Sequence, residues 1–219
     1  NEAPGVMKRS SAFSDGKTIL PLHAVQDHKR LLPGDEGPNT GGMGSYSCEN
    51  GLLPFLNKSD YEEGACILQK IVEALDKEGC PYVGAIYGQF MLTSNGPKII
   101  EINARFGDPE AMNVLPLLQT DYVKLCKAML KGNLNSKKIK MNKKSTVCKY
   151  VVPEGYGIKS VDGKIVYVDE DKIKDVGSQL FYALVNKMNN HVKTTTSRSL
   201  AVVGISEKLG SAENICEKA

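Results

Sequence analysis

No C-x-x-C pair, no secretory signal and no apolar run long enough to cross a bilayer occurs in the 219 residues. A spanning helix needs about 20 consecutive apolar residues, and zinc or dithiol centres need closely spaced cysteines. The six cysteines, at positions 48, 66, 80, 126, 148 and 216, are therefore expected to be free thiols in a reducing cytoplasm. Cys66 and Cys126 fall on the apolar stripes of expected helices and read as core fillers. A strong charge bias is also missing. The formal net charge of +3 is too small to argue for a nucleic acid or a membrane surface as partner. Lys137, Lys138, Lys140, Lys143 and Lys144 crowd one stretch, expected to be a solvated surface loop. No Ser/His/Asp or Cys/His arrangement suggests a covalent nucleophile. Internal repeats and low-complexity segments are absent. The opening, Asn1-Glu2-Ala3-Pro4-Gly5, has no initiating Met and has the look of a loop cut mid-protein.

What is present is an ordinary globular composition, 41% hydrophobic and 24% charged. Asp15-Gly16 between two apolar runs predicts a hairpin of strands at 10–13 and 18–22. Residues 23–54, rich in glycine with Pro33 and Pro38, read as a long irregular stretch of the kind that serves function. A helix is predicted over 59–77, with Ser59 as cap, Glu62 completing a capping box and Gly79 as its stop. Strands at 84–93 and 98–103 form a second hairpin around Ser94-Asn95-Gly96, in a register that sets Gln89 opposite Glu101. Ile100 and Ile102 are expected to pack the face opposite Glu101. A helix is expected to start at Asp108-Pro109-Glu110, with Asp108 as cap. The next helix begins at Thr120, turns Tyr122, Leu125, Cys126, Met129 and Leu130 inward, and stops at Gly132. Short strands at 146–152, 164–167, 180–185 and 200–205 give the tail a mixed character, with a short helix from 211. The fold class is thus α+β or α/β: an antiparallel sheet with helices over 1–142, then a small mixed α/β domain over 143–219.

Three constellations could carry chemistry. In Glu101-Ile102-Asn103-Ala104-Arg105-Phe106-Gly107-Asp108-Pro109-Glu110, strand alternation puts Glu101 and Asn103 on one face. Two oxygen donors side by side suit a hard ion such as Mg²⁺, with the Gln89 amide as a third. Arg105, continuing that face, could neutralise phosphoryl charge through its planar fork of donors. A bare E-x-N would read as an exposed polar strand end; the attached R-F-G-D-P-E favours the metal pair. Gly37-Pro38-Asn39-Thr40-Gly41-Gly42-Met43-Gly44 could bring backbone amides to an anion or be a flexible loop. It is not a Walker A loop, because no Gly-Lys-Ser/Thr follows. Gln26-Asp27-His28-Lys29-Arg30 offers a carboxylate and two permanent cations, or else a solvated turn. His28, lone among charged neighbours, is expected to be exposed.

These three segments, in this order and spacing, resemble the glycinamide ribonucleotide synthetase family of ATP-grasp ligases. The resemblance runs from Ala12 to the end and includes Val147-Cys148-Lys149-Tyr150-Val151-Val152-Pro153. Met112 stands where many members carry Gln, and residues 1–11 fit the family poorly. The resemblance implies an ATP-grasp C-terminal lobe followed by a small C-terminal domain. It also implies a reaction: ATP activates glycine as an acyl phosphate, which 5-phosphoribosylamine attacks to give glycinamide ribonucleotide, ADP and phosphate. By match, Gln89, Glu101 and Asn103 would hold Mg²⁺ or Mn²⁺, and Arg105 and Lys29 would be catalytic. Asp27, Gly41, Gly42 and Asp108 would line the substrate side. The family's N-terminal region is not visible here, so the chain is expected to be a fragment, inactive without its missing N-terminal half. Two alternatives stand beside this reading: another ATP-grasp carboxylate-amine ligase, and a non-catalytic nucleotide-binding module.

Overall fold

The computed structural model describes residues 7–219, with side chains described from Ser10 onward; the opening pentapeptide lies outside that range. In chain order the strands are β1 (Met7–Asp15), β2 (Ile19–Leu32), β3 (Glu36–Ser47), β4 (Val83–Thr93), β5 (Gly96–Asn103) and β6 (Ser145–Val151). They continue with β7 (Ile165–Val166), β8 (Ser178–Tyr182), β9 (Val185–Lys187), β10 (Val192–Thr194) and β11 (Leu200–Ser206). The helices are α1 (Lys58–Lys77), α2 (Ala111–Val114), α3 (Tyr122–Leu130), α4 (Glu170–Asp175) and α5 (Leu209–Lys218). The chain divides into two compact units. One holds the described residues up to Gln26 together with Ser47–Lys143; the other holds Asp27–Tyr46 and Lys144–Ala219. A break falls after Lys143, next to the expected boundary, but residues 27–46 group with the second unit, which a linear division cannot express.

In the first unit the strand order is β5-β4-β1-β2, antiparallel throughout. The β1–β2 turn is tied on both sides. The Oδ1 atom of Asp15 accepts from the Lys17 and Thr18 amides at 3.1 and 2.8 Å, and its Oδ2 accepts from the Leu134 amide at 2.8 Å. Gly16 takes φ of +94°, which a side chain would strain. Successive residues of β1 serve opposite faces. Ala12 packs with Leu68 and Val72 of α1 and with Ile86 and Phe90 of β4, while Phe13 packs with Leu22, Val25, Val114, Leu125 and Met129. Burying a side chain such as Phe90 fully is worth roughly 1.5–3 kcal/mol. α1 is also fastened by polar groups. Tyr61 donates to the Leu22 carbonyl at 2.7 Å, and burial pushes its phenol up to about 12, so it stays a neutral donor.

Several expectations for this unit change. The cap of α1 is Asn57, whose side chain accepts from the Asp60 amide, and Ser59 merely donates to that same oxygen. α2 begins only at Ala111, so Glu110 and not Asp108 stands at its N-cap position, without a side-chain cap. In α3 the buried residues are Leu125, Ala128 and Met129, whereas Tyr122 and Leu130 are exposed. Cys66 is exposed and Cys126 half-buried; the buried thiols are Cys48, Cys148 and Cys216. At 3.6 residues per turn Cys66 stands about 160° round the helix from Leu68, away from the Leu68–Val72 line that packs against β4.

In the second unit the order is β2-β3-β6-β11-β8, with a small separate sheet β7-β10-β9. The stretch expected to be irregular is therefore largely a hairpin, turned at Gly34 and Asp35 with φ of +75° and +61°. The four glycines of β3 depress strand propensity, yet glycine also lets a strand lie very close to its neighbour. At Gly44 a Cβ would sit 2.5 Å from the Cys148 carbonyl oxygen of β6. β6 pairs with β11 from Ser145↔Ser206 to Val151↔Leu200. α5 closes this core with Ala212 and Cys216 against Val147, Leu200 and Val202. Lys149 bonds to Glu217 and Glu213 of α5. Burial pulls its ammonium down, but the two carboxylates outweigh that and leave it above its ordinary value. β10 and α4 went unforeseen, because both are too short to show a period. The lysines at 137, 138, 140, 143 and 144 are exposed.

Candidate functional site

The first unit brings Gln89, Glu101 and Asn103 onto one hairpin. Gln89 pairs with Glu101 across β4 and β5, as the sequence register expected. The route to that register differs. Thr93 pairs with Gly96 around a two-residue loop, and the pairing slips one residue between Phe90↔Ile99 and Gln89↔Glu101, leaving Ile100 as the extra residue. This bulge sets the alternation beyond it, so Glu101 and Asn103 share a face. Asn103 Nδ2 donates to Glu101 Oε1 at 3.1 Å. Gln89 is buried, and Glu101 is exposed. Ile100 and Ile102 are not packed away: they are 54% and 37% exposed. The expected apolar face is thus open on this edge strand.

Arg105 does not continue the strand. β5 ends at Asn103, and Arg105 sits exposed in the following bend, donating to the Phe106 carbonyl at 2.8 Å. Asp108 is exposed two residues before a buried carboxylate that sequence reasoning passed over. Glu110 is only 1% exposed and accepts from the Tyr87 hydroxyl at 3.0 Å. Gly107 lets this happen: a Cβ there would meet Glu110 Oε2 at 2.5 Å. Glu110 fixes the loop that carries Arg105 and Asp108 to β4 at Tyr87, two residues before Gln89. Its signal in the sequence is the last letter of the R-F-G-D-P-E run, which in the sequence alone marks only a helix start.

The donor set suits a hard divalent cation: one carboxylate and two amides, all oxygen, with no sulfur or imidazole. Among the described residues no cluster of three or more His, Cys, Asp or Glu could hold a metal, which is consistent with a set in which two of three donors are amides.

The second unit gathers the other expected residues on the β2–β3 hairpin. Asp27 and Lys29 are two apart on β2 and so share a face; Asp27 is 6% exposed and Lys29 half-buried. His28 is exposed, as expected. Gly41 and Gly42 lie on β3, not in a loop. Thr40 Oγ1 donates to the Lys29 carbonyl at 2.8 Å and accepts from the Gly42 amide at 3.1 Å. Arg198, which no motif flagged, donates to the Gly41 and Gly42 carbonyls. A cavity of about 770 Å³ in this unit, lined by Tyr167, Tyr182, Asp169 and His191, contains none of the expected residues.

The profile described as phosphoribosylglycinamide synthetase, ATP-grasp (A) domain, matches residues 5–111 and so sets the class, an ATP-grasp protein. That range contains β1 to β5 and every expected site residue. The phosphoribosylamine–glycine ligase of Methanothermobacter thermautotrophicus is 54% identical over 208 residues, covering 95% of this chain and 47% of that protein. The same-named ligase of Methanococcus maripaludis is 52% identical over 215 residues, covering 98% and 48%. The crystal structure of phosphoribosylamine–glycine ligase from Thermotoga maritima superposes with a TM-score of 0.80 at 28% identity, covering all of this chain and 52% of that one. The chain belongs to the phosphoribosylglycinamide synthetase family. It spans about half the length of the curated relatives it matches.

Proposed function

We propose that this chain is part of a ligase that joins glycine to 5-phosphoribosylamine at the expense of ATP, in purine synthesis. The observation that carries the reading is the β4–β5 hairpin. It aligns the Gln89 amide with Glu101 and sets Asn103 beside Glu101, within a family whose profile spans the whole hairpin. Gln89, Glu101 and Asn103 would hold Mg²⁺ or Mn²⁺; when bound, that ion draws charge off the ATP phosphates and orients them. Arg105, on a loop anchored through Glu110, supplies a cation beyond the strand end where phosphoryl charge develops. Asp108 and, in the second unit, Asp27, Lys29, Gly41 and Gly42 are assigned to the glycine and amine side. The γ-phosphoryl group passes to the glycine carboxylate, and the amine of phosphoribosylamine displaces the phosphate. The donor set is hard enough for either ion. The cytoplasm is the compartment that supplies ATP and these substrates.

The test is glycine-dependent ADP release. A protein carrying this chain within the full length of its relatives should release ADP only when ATP, glycine and phosphoribosylamine are all present. The 219 residues alone should not. ADP release that ignores glycine in the long form would contradict the ligase reading and favour another ATP-grasp enzyme, and none at all would favour a nucleotide-binding module.

A further inference from the structure

We propose that Arg198 is a positioning residue that holds the glycine-rich strand β3 in its working shape; this rests on the substrate-side assignment of Gly41, Gly42 and Lys29 above. Along a regular strand successive carbonyls point to opposite sides. Here the carbonyls of Gly41 and Gly42 converge on one nitrogen, Arg198 Nη1, at 3.0 and 3.1 Å. They can do so because Gly42 has φ of +113°, outside the range of ordinary strand residues. The strand is therefore kinked at this point, and the cation gathers the two oxygens that the kink turns the same way.

The guanidinium has two further neighbours. It lies 4.5 Å from the centroid of the Tyr150 ring on β6, a cation–π contact. The bare backbone of Gly41 also lies close: a Cβ there would stand 3.3–3.5 Å from Arg198 Cζ, Nη2 and Nε. So the absence of a side chain at 41 makes room for the planar group, and the planar group fixes the peptide. From there the order passes along the chain. The Gly42 amide donates to Thr40 Oγ1, and Thr40 Oγ1 donates to the Lys29 carbonyl. Arg198 is 156 residues beyond Gly42, in the turn before β11, so the C-terminal region carries one anchor of this strand. Charge-assisted donors of this kind are stronger than neutral ones. A lysine, with one point charge and no plane to stack, would replace only part of the arrangement.

Two experiments test it. The first is a double-mutant cycle on this chain, reading the unfolding midpoint. Gly41→Ala in the wild type should lower the midpoint by a small amount, since a Cβ 3.3 Å from Cζ makes the guanidinium shift by a few tenths of an ångström from its two carbonyl partners. Gly41→Ala in the Arg198→Ala background should lower it by much less than half as much. Equal, additive losses would overturn the proposal. The second uses the full-length ligase. Arg198→Ala should raise KM for glycine or phosphoribosylamine about tenfold or more, Arg198→Lys less, with the Mg²⁺ dependence of turnover unchanged. A fall in kcat with both KM values unchanged, or a shift in metal dependence, would overturn it. If the wild-type long form shows no glycine-dependent ADP release, the ligase reading fails instead, and the cycle alone decides whether Arg198 clamps β3.

Discussion

The β4–β5 hairpin and the β2–β3 hairpin carry the two richest motifs, and the sequence disclosed them unequally. β4 and β5 are bounded by clear turn residues and rich in apolar side chains, so the pairing of Gln89 with Glu101 and the shared face of Glu101 and Asn103 follow from the sequence. β3 carries Gly37, Gly41, Gly42 and Gly44 among only 12 residues, and it read as a loop. The difference teaches where strand information resides. In β4 it is in the side chains, with Phe90 and Ile86 buried against α1. In β3 it is in the neighbours, in a carbonyl of β6 that lies against Gly44 and an arginine from the turn before β11.

That contrast can be broken by mutation, and the effects should fall in order. Glu101→Ala in the long form should cut glycine-dependent turnover by at least about 10²–10³-fold, while the circular dichroism spectrum and unfolding midpoint stay near wild type. Retained turnover would remove the β5 donors from the chemistry. Phe90→Ala, which empties the side-chain core of β4, should cost about 3–5 kcal/mol by urea unfolding. Gly44→Ala, which adds one methyl group where β3 meets β6, should cost about 1–3 kcal/mol, against little for an alanine at an exposed strand position. A negligible loss at Gly44 would mean that β3 is not held by close approach.

The smallest effect concerns pH. His23 is half-buried beside Gly51, and burial lowers its pKa below 6.5. The unfolded chain therefore takes up a proton below pH 6.5 that the folded chain resists. This part of the stability is intact above that pH and is lost as pH falls through it. Replacing His23 with Gln should flatten the dependence of the unfolding midpoint between pH 7.5 and 5.5. An unchanged slope would assign the dependence to other groups.

Much of the first unit was legible, for physical reasons that also explain the failures. Strand alternation gave the shared face of Glu101 and Asn103, and the Asp15-Gly16 turn gave the first hairpin. The bulge at Ile100 was not legible, because the extra residue could be absorbed at Gly96 or at any later pair with the same final register. The exposure of Ile100 and Ile102 was missed because β5 is an edge strand, which periodicity does not reveal. Glu110 was missed because a carboxylate after Pro reads as a first-turn residue; its burial depends on Gly107 and on Tyr87, more than 20 positions away. Arg198 could not have been found from its surroundings in sequence. Its hydrogen-bond partners, Gly41 and Gly42, are on a strand whose residues read as a loop.

The central claim is that oxygen donors on β4 and β5 hold the divalent cation that presents ATP. It is tested most directly by titrating Mn²⁺ in the presence of ATP into the long form and reading bound metal by electron paramagnetic resonance. Glu101→Gln should weaken nucleotide-dependent Mn²⁺ binding by about tenfold or more at an unchanged unfolding temperature, with Asn103→Ala following in the same direction. Wild-type Mn²⁺ affinity in both variants would contradict the account.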